Sequence, residues 1–394
     1  MRRIYMDANA TTPVLPEVLE AMRPFWMEAF GNASSIHQPG QQARAAVERA
    51  RESVSGLLGC RPAEVVFTSG GTESDNLALF GVMEGALLPG EHLIVSSVEH
   101  AAVLHAAQAL AKRGVEVTFL PSTTQGVVEV SALEAALRSN TRLVSVMLAN
   151  NETGVIQPIR ELADRAHAAG ALFHTDAVQA AGKLALDIKA LGCDMLSISG
   201  HKMYAPQGVG ALFVRRNVRL RSIFFGGNHE RGRRPGTENV AGIVGLGNAA
   251  ELARDWLAQG EQQSLAALRD HLEQGILAQV EEAGVNGADV ARVSNTSNLF
   301  FDHLEAEALV IALDLKGLAV SGGSACQSGA TEPSHVLMAM GLSPARARAS
   351  VRFSLSRLTT RDEIDCALAL VPAAVERLRK LAPLKLKQSL ALSH

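Results

Sequence analysis

Short apolar runs alternate with amphipathic stretches over roughly the first 260 residues of the chain. Runs of large and β-branched apolar residues predict buried strands at residues 65–67, 92–96, 115–120, 143–148, 171–174, 195–198 and 210–214. Between them, apolar residues that recur every three or four positions predict helices at residues 41–58, 101–113 and 159–169. This alternation predicts an α/β fold with a mostly parallel sheet covered by helices on both faces.

The pattern changes near residue 260, where two long helices are predicted at residues 240–257 and 262–282 and a shorter set of strands and helices follows. A chain of 394 residues is longer than one hydrophobic core usually holds. We therefore expect a large domain over residues 15–260 and a smaller α/β domain formed by residues 1–14 and 261–394.

Composition and charge narrow the class of protein. The formal net charge is −3, which argues against a nucleic-acid-binding protein. No run reaches the ~20 apolar residues of a membrane span, and Asp7 precedes any apolar run, so no secretory signal is expected. The chain has four cysteines: Cys60, Cys193, Cys326 and Cys366. They form no CxxC pair, so neither a disulfide framework nor a zinc site is expected, and we predict a cytoplasmic protein.

A glycine-rich turn follows the first predicted strand. In VVFTSGGTESDNLALF, residues 65–80, a strand leads through Gly71 and Thr72 into a helix. The N–H groups and the positive dipole at such a helix start suit a phosphate group. The stretch is equally typical of a tight turn in which Thr72 caps the helix.

A carboxylate follows the apolar run at residues 171–174. Asp176 in HTDAVQ therefore lies near the carboxyl end of a predicted strand, where open α/β sheets bind ligands. It is a candidate partner for a cation such as a protonated ring nitrogen. Capping of the next helix is the alternative role for this residue.

A lysine lies between two strongly apolar runs. In MLSISGHKMYAPQGVGALFV, residues 195–214, Lys202 is preceded by Ser199, Gly200 and His201. Most lysines are exposed surface charges, but partial burial lowers the pKa of an amine and activates it for Schiff-base chemistry. Such a lysine, an upstream aspartate and a phosphate-binding helix start are what a pyridoxal 5′-phosphate enzyme requires.

Eight motifs occur in the order in which they are found in the cysteine desulfurases. They are SGGTESDN, SSVEHAAV, NNETG, HTDAVQ, SGHKMYAPQG, ERGRRPGTEN, SGGSACQSG and VRFSLSR. From YMDANATTP to about residue 360, the chain resembles these enzymes, which are fold-type I, pyridoxal-phosphate-dependent members of the class-V aminotransferase family. ERGRRPGTEN and SGGSACQSGATEPSH are similar to the nitrogen-fixation branch. The resemblance implies a large domain that binds the cofactor and a small domain that carries a catalytic cysteine.

The resemblance implies an activity as well. L-Cysteine is converted to L-alanine, and its sulfur passes to Cys326 as a persulfide and then to acceptor proteins such as an iron–sulfur scaffold. Iron–sulfur cluster assembly is the implied pathway. No resident metal is implied, although Cys326 is a candidate transient cluster ligand through its persulfide.

Four residues match those that surround the cofactor ring in these enzymes. Lys202 matches the lysine that binds the cofactor covalently and later moves protons at the substrate Cα. Asp176 matches the carboxylate that pairs with the ring nitrogen, and Gln179 the side chain that reaches the ring hydroxyl. His100 matches the histidine that stacks on the ring and is a candidate to exchange protons with the thiols. A histidine at a strand end also suits a structural role.

The same resemblance implies which residues bind the phosphate group of the cofactor. Gly71 and Thr72 at the helix start match phosphate-binding residues, as do Ser199 and His201 beside the lysine. Thr237 in RRPGTEN matches a threonine that reaches the phosphate from the neighbouring subunit, which implies a homodimer with shared active sites.

Two further residues match the substrate side of the site. Asn151 in NNETG matches a residue beside the cofactor and the substrate carboxylate, and Arg352 in VRFSLSR matches the arginine that clamps this carboxylate. A guanidinium suits such a bidentate task, whereas the strand pattern alone also fits a surface ion pair. Cys326 lies in SGGSACQSGA, residues 321–330, and a Ser/Gly-rich loop lets a thiol reach both the substrate and an acceptor. A small residue tolerated in a loop is the alternative.

Other functions stay open at this point. A selenocysteine lyase shares the cofactor-binding residues, an aminotransferase would leave Cys326 without a role, and a non-catalytic sulfur-carrier scaffold would not need Lys202. Gln327 stands where many relatives have Thr or Ser, and the tail LKLKQSLALSH differs from that of the housekeeping enzymes. The sulfur acceptor therefore stays open too.

Overall fold

The computed structural model describes residues 3–86, 90–322 and 332–381. Its strands are β1 (Ile4–Tyr5), β2 (Val65–Thr68), β3 (His92–Ser96), β4 (Glu116–Leu120), β5 (Thr141–Ser145), β6 (Leu172–Asp176), β7 (Met195–Ser199), β8 (Gly210–Val214), β9 (Ala283–Val285), β10 (Thr296–Phe301), β11 (Leu318–Ala319), β12 (Ser321–Gly322) and β13 (Ser350–Ser354).

The helices are α1 (Pro16–Met22), α2 (Pro24–Met27), α3 (Gln38–Leu58), α4 (Gly71–Ala86), α5 (Ala101–Ala111), α6 (Val130–Ala136), α7 (Ile159–Ala168), α8 (Ile188–Leu191), α9 (Val240–Ala258), α10 (Glu261–Leu277), α11 (Ala306–Asp314), α12 (His335–Ala339), α13 (Pro344–Arg348) and α14 (Arg361–Leu381). Short 3₁₀ turns lie at Pro62–Glu64, Gly200–Lys202 and His229–Gly232. Within the described ranges, no helix combines the length and the apolar character needed to cross a membrane.

Seven of the described strands form the central sheet, in the order β2-β8-β7-β6-β5-β3-β4. Strands β3 to β7 pair in parallel, and β8 runs antiparallel to both of its neighbours. Alternate side chains point to opposite faces of the sheet: Val65 and Phe67 pack on one side and Val66 on the other. The predicted α/β fold with a mostly parallel sheet is therefore confirmed.

Element boundaries differ from the predictions by a few residues. Strand β5 ends at Ser145, although the apolar run continues to Leu148 and its residues stay buried. Helix α3 begins at Gln38, three residues before the predicted start. Pro39 lies in its first turn, where proline is tolerated, and the His37 side chain accepts a hydrogen bond from the Gly40 N–H.

A second core lies around the antiparallel sheet β12-β13-β10-β9. Side chains of α10, α11 and α14 pack on it, together with Ile4 and Met6 from the N-terminal segment. Val336 and Leu337 of α12, in contrast, pack in the core of the central sheet. The division into residues 15–260 and residues 1–14 with 261–394 stays a prediction.

A buried ion pair ties α3 to the central sheet. Arg51 Nη2 lies 2.7 Å from Glu230 Oε1, and Glu230 Oε2 accepts hydrogen bonds from Arg51 Nη1 at 2.8 Å and from the Phe67 N–H at 3.0 Å. Glu230 has φ of 46°, a left-handed conformation that a non-glycine residue adopts where its surroundings hold it. The pair therefore holds the segment that leads to Thr237.

We expect Glu230→Ala to lower the free energy of unfolding by about 3–5 kcal/mol, because Arg51 would keep a buried charge without its partner. Glu48→Ala is the matched control, since Glu48 contacts the same guanidinium at 3.3 Å with a side chain that is 45% exposed. Glu48→Ala should lower the free energy of unfolding by less than about 1 kcal/mol. Urea unfolding of both variants measures the difference, and equal losses would contradict this assignment.

Candidate active site

The carboxyl ends of several strands meet at one edge of the central sheet. Strands β3, β5, β6 and β7 are parallel, and β2 points the same way because both β2 and β7 are antiparallel to β8. Five predicted site residues end or follow these strands: Gly71, His100, Asn151, Asp176 and Lys202. The structure thus brings to one edge residues that are far apart in the sequence.

Lys202 ends the 3₁₀ turn Gly200–Lys202, which directly follows the fully buried strand β7. Its Nζ donates hydrogen bonds to the backbone carbonyls of Asn9, at 2.5 Å, and Ala10, at 2.6 Å. The amine is therefore held between the central sheet and the N-terminal segment.

Asp176 ends β6, and its carboxylate is buried. Oδ1 accepts a hydrogen bond from the Val178 N–H at 2.8 Å. Burial raises the pKa of Asp176 to about 6, although that hydrogen bond and the charge of Lys202 lower it. Burial, together with the charge of Asp176, also raises the pKa of the completely buried Asp75 in α4. A cation beside Asp176 would offset this repulsion, so the carboxylate suits a protonated ring nitrogen.

The start of α4 packs closely against the residues that follow Asp176. A Cβ atom at Gly71 would lie only 2.7 Å from Val178 Cγ2, so this position requires glycine. A Cβ atom at the preceding Gly70 would lie 3.7 Å from Ser199 Oγ. Gly71, Thr72 and Ser199 therefore lie together around a helix start, where N–H groups favour an anion.

Two histidines beside Lys202 are neutral at neutral pH. His100 caps α5, and its Nδ1 accepts a hydrogen bond from the Ala102 N–H at 3.1 Å. Burial and the charge of Lys202 lower the pKa of His100 to about 4. The same two causes lower the pKa of His201 to about 4, and its Nδ1 is hydrogen-bonded to Thr11 Oγ1 at 3.1 Å.

Arg352 and Asn151 meet at the border between the two cores. Arg352 lies on β13, is 4% exposed, and donates from Nη1 to the Asn151 carbonyl at 3.0 Å and from Nη2 to Asp7 Oδ1 at 2.7 Å. Within the described residues, Arg352 Nε and Asn151 Oδ1 are buried without a hydrogen-bond partner. These atoms can therefore serve a ligand that carries both an acceptor and a donor.

Asn9 connects these residues. Its carbonyl accepts hydrogen bonds from Lys202 Nζ and, at 3.0 Å, from Gln179 Nε2. Its side-chain Oδ1 accepts from Lys183 Nζ at 3.1 Å, and its Nδ2 donates to the Asn151 carbonyl at 3.1 Å. One residue of the N-terminal segment thus touches four of its neighbours at the site.

Two predicted residues do not join this group. Thr237 is exposed in the segment before α9, and in the described chain it has no recorded contact with the other site residues. Cys326 lies outside the described residues.

Sequence reasoning missed several residues at the site, among them Asn9, Lys183 and Asp75. Asn9 lies in YMDANATTP, where the family resemblance begins, and no local pattern marks it. Lys183 could have been found, because it is a lone charge in the apolar stretch AVQAAGKLAL, four residues after Gln179. Asp75 was hidden inside the motif SGGTESDN, which was interpreted only for Gly71 and Thr72.

The residues present fit pyridoxal 5′-phosphate. Lys202 offers an amine for the aldehyde, Asp176 a buried carboxylate for the ring nitrogen, and the start of α4 a set of N–H groups for the phosphate. The buried, unpartnered Oδ1 of Asn151 is a further polar atom that a ligand can satisfy.

Residues 4–366 match the family model described as aminotransferase class-V. The chain belongs to the class-V aminotransferase family. It is 50% identical over 383 residues to "Cysteine desulfurase 2" of Trichormus variabilis, and the match covers 97% of this chain and 96% of that protein. Its fold matches a solved NifS-like protein with a TM-score of 0.90 and 35% identity, over 95% of this chain and 100% of the other.

A third similar protein is a solved structure titled "SspA in complex with cysteine". It matches with a TM-score of 0.80 and 37% identity, over 91% of this chain and 100% of that one. The resemblance to the cysteine desulfurases that the motifs indicated is thereby confirmed, as is the fold-type I architecture of this class-V aminotransferase.

Glu99, which precedes His100, is a further buried acid at this edge. Its Oε1 accepts hydrogen bonds from Ser96 Oγ at 2.6 Å and from the Met147 N–H at 2.7 Å. Burial raises the pKa of Glu99 to about 8. The folded protein therefore keeps the Glu99 proton at a pH where the unfolded chain has released it.

Because the pKa of Glu99 is raised, its contribution to the free energy of unfolding falls as pH rises from about 4.5 to 8. Over this range, the unfolded state binds fewer protons than the folded state. Glu99→Gln removes this contribution. The cofactor-free variant should lose less stability than the wild type between pH 5 and 8, by roughly a few kcal/mol.

Urea unfolding at both pH values measures the difference, with the exposed Glu129→Gln as matched control. Identical pH dependence in the wild type and Glu99→Gln would contradict the buried, protonated state.

Proposed function

We propose that this chain is a pyridoxal-phosphate-dependent cysteine desulfurase, which converts L-cysteine to L-alanine and transfers the sulfur to Cys326 as a persulfide. The observation that carries this proposal is Lys202 at the carboxyl edge of the sheet, where its charge acts on the buried Asp176, in a chain 50% identical to a protein named cysteine desulfurase. The SspA structure in complex with cysteine supports cysteine as the substrate.

When bound, pyridoxal phosphate supplies an electron sink for charge that develops at the substrate Cα. Asp176 would hold a proton on the ring nitrogen, and Gln179 would donate to the ring hydroxyl. The Lys202 amine would bind the aldehyde, then remove and return protons at the substrate Cα. Gly71, Thr72, Ser199 and His201 would hold the phosphate.

His100 would exchange the proton of the substrate thiol. Because burial and the charge of Lys202 lower the pKa of His100 to about 4, its imidazole is neutral at pH 7. Nδ1 accepts from the Ala102 N–H, so the ring proton is on Nε2. The uncharged ring can therefore stack on the cofactor.

The Cys326 thiolate would then attack the substrate sulfur. A sulfur–sulfur bond forms, the Cβ–S bond breaks with its electron pair on carbon, and this carbon takes a proton and leaves as part of alanine. The persulfide is consumed by an acceptor with its own thiol, such as an iron–sulfur scaffold, and Cys326 could ligate a cluster in passing.

Several finer features belong to the same proposal. The functional unit is a homodimer in which Thr237 reaches the phosphate of the neighbouring site, and its exposure in the single chain supports this. The large domain comprises residues 15–260 and the small one residues 1–14 and 261–394, as the separate second core supports. A cytoplasmic location fits the cysteine usage.

The test measures alanine and sulfide formed from L-cysteine and a reductant by the wild type, Cys326→Ser and Lys202→Ala. We expect stoichiometric products with the wild type and a loss of more than about 100-fold in both variants. Cys366→Ser, at an exposed cysteine, is the matched control and should keep full activity.

Each other outcome points to a different function. Alanine formation that survives Cys326→Ser indicates a lyase of the selenocysteine type. Turnover that requires a keto acid indicates an aminotransferase. No turnover at all, with the cofactor bound, indicates a sulfur-carrier scaffold.

The clamp on the substrate carboxylate generates a separate prediction. Arg352→Lys replaces a fork that already spans Asn151 and Asp7 with a single ammonium, which cannot make both contacts and bind a carboxylate. We expect KM for L-cysteine to rise by about tenfold or more, with the cofactor absorbance unchanged. An unchanged KM would exclude Arg352 as the carboxylate ligand.

A further inference from the structure

Lys183 is a buried lysine to which the proposed reaction gives no role. It lies just beyond β6, and its side chain is buried between the central sheet and the N-terminal segment. Its Nζ donates hydrogen bonds to Gln179 Oε1 at 2.7 Å and to Asn9 Oδ1 at 3.1 Å. The backbone carbonyl of Asn9 also accepts a hydrogen bond from Lys202, and Gln179 donates to the same carbonyl.

The surroundings of Lys183 favour an uncharged amine. Within residues 3–86, 90–322 and 332–381, no carboxylate forms an ion pair with it, and both recorded acceptors are amide oxygens. The charged groups that act on it are Lys202, after β7, and Arg352, on β13. Burial and these two positive charges lower the pKa of Lys183 well below its usual value. Among the described residues, no ion pair therefore explains why Lys183 is a lysine.

The hydrogen bond from Lys183 determines which way the Gln179 amide points. Gln179 Oε1 is occupied by Lys183 Nζ, and Gln179 Nε2 donates to the Asn9 carbonyl at 3.0 Å. Rotating the amide by half a turn would bring two donors together at Lys183 and two acceptors together at Asn9. Of the two N–H bonds on Nε2, one serves Asn9, and no described residue accepts the other.

Gln179 Nε2 lies beside the amine that would bind the cofactor. Gln179 Nε2 and Lys202 Nζ share one acceptor, the Asn9 carbonyl, at 3.0 Å and 2.5 Å. In pyridoxal, the ring hydroxyl is adjacent to the aldehyde, so a cofactor joined to Lys202 carries an anionic oxygen next to that nitrogen. A donor at Gln179 Nε2 is therefore near the charge that most affects protonation of the Lys202 nitrogen.

We propose that Lys183 is a positioning residue, which orients the Gln179 amide so that it presents an N–H to the cofactor beside Lys202. This inference rests on the proposed cofactor binding at Lys202 but not on desulfuration. The consequence is a lower pKa for the Lys202 nitrogen in the holoenzyme. A hydrogen bond donated to the ring oxygen reduces the negative charge on that oxygen, so the oxygen attracts the proton of the neighbouring nitrogen less strongly.

The test is a pH titration of the absorbance of the bound cofactor in the holoenzyme, which reports protonation of the Lys202 nitrogen. In Lys183→Met, which keeps the length of the side chain but removes the donor, we expect the midpoint to rise by about one pH unit, a tenfold change in the proton equilibrium. Lys112→Met, at an exposed lysine, is the matched control and should leave the midpoint unchanged. An unchanged midpoint in Lys183→Met would overturn the proposal.

A double-mutant cycle separates orientation from simple charge. If Lys183 acts through Gln179, then Lys183→Met should cause no further shift in a Gln179→Met background. A shift of the same size in both backgrounds would also overturn the proposal, because it would mean that Lys183 acts on the Lys202 nitrogen directly. If Lys183→Met does not fold, Lys183→Gln is read in the same way, since its shorter side chain cannot reach both acceptors.

The absorbance titration needs no turnover. A raised midpoint in a protein that forms no alanine would support the role of Lys183 and contradict the desulfurase function. An unchanged midpoint in a protein that forms alanine would do the reverse.

Discussion

The backbone carbonyl of Asn9 is the acceptor on which the site depends. Lys202 from the central sheet and Gln179 from the segment after β6 both donate to it. The N–H of Asn9 donates to Ser354 Oγ on β13, so the same residue is attached to the second core. A carbonyl is rigid and cannot turn away as a side chain can. The position of the reactive amine is therefore coupled to the contact between the two cores.

The carboxyl edge holds several buried ionisable groups whose charged forms are disfavoured by burial. Burial raises the pKa of Asp176 to about 6 and that of Glu152 to about 7, while it lowers the pKa of His100 to about 4. Each shift shows that removal from water disfavours the charged form of the group. A ligand with a cationic ring nitrogen and an anionic phosphate offsets part of this, since it places opposite charges at Asp176 and at the start of α4. Cofactor binding should thus stabilise the folded state.

The parts of the fold and site that could be predicted from the sequence are those marked by local sequence patterns. An apolar run with a lysine or a carboxylate at its end is visible within a few residues, which is why Lys202 and Asp176 were found. Asn9 contacts Lys202 across 193 positions, and no periodicity reports such a contact. Its importance follows from how the N-terminal segment passes between the two cores, which is tertiary information. The end of β5 was missed for a related reason, since burial continues past the strand.

The described residues on either side of positions 323–331 are both attached to the site. On one side, Ser321 of β12 lies opposite Arg352 in the antiparallel ladder. On the other, Ser334 Oγ donates to Glu152 Oε2 at 2.6 Å, and His335 Nε2 is hydrogen-bonded to the Glu99 carbonyl at 2.9 Å. The described residues on both sides of the segment that contains Cys326 thus contact residues of the candidate site. These flanking contacts fit the proposal that Cys326 accepts the sulfur, because a nucleophile whose chain is anchored near the substrate has a high effective concentration there.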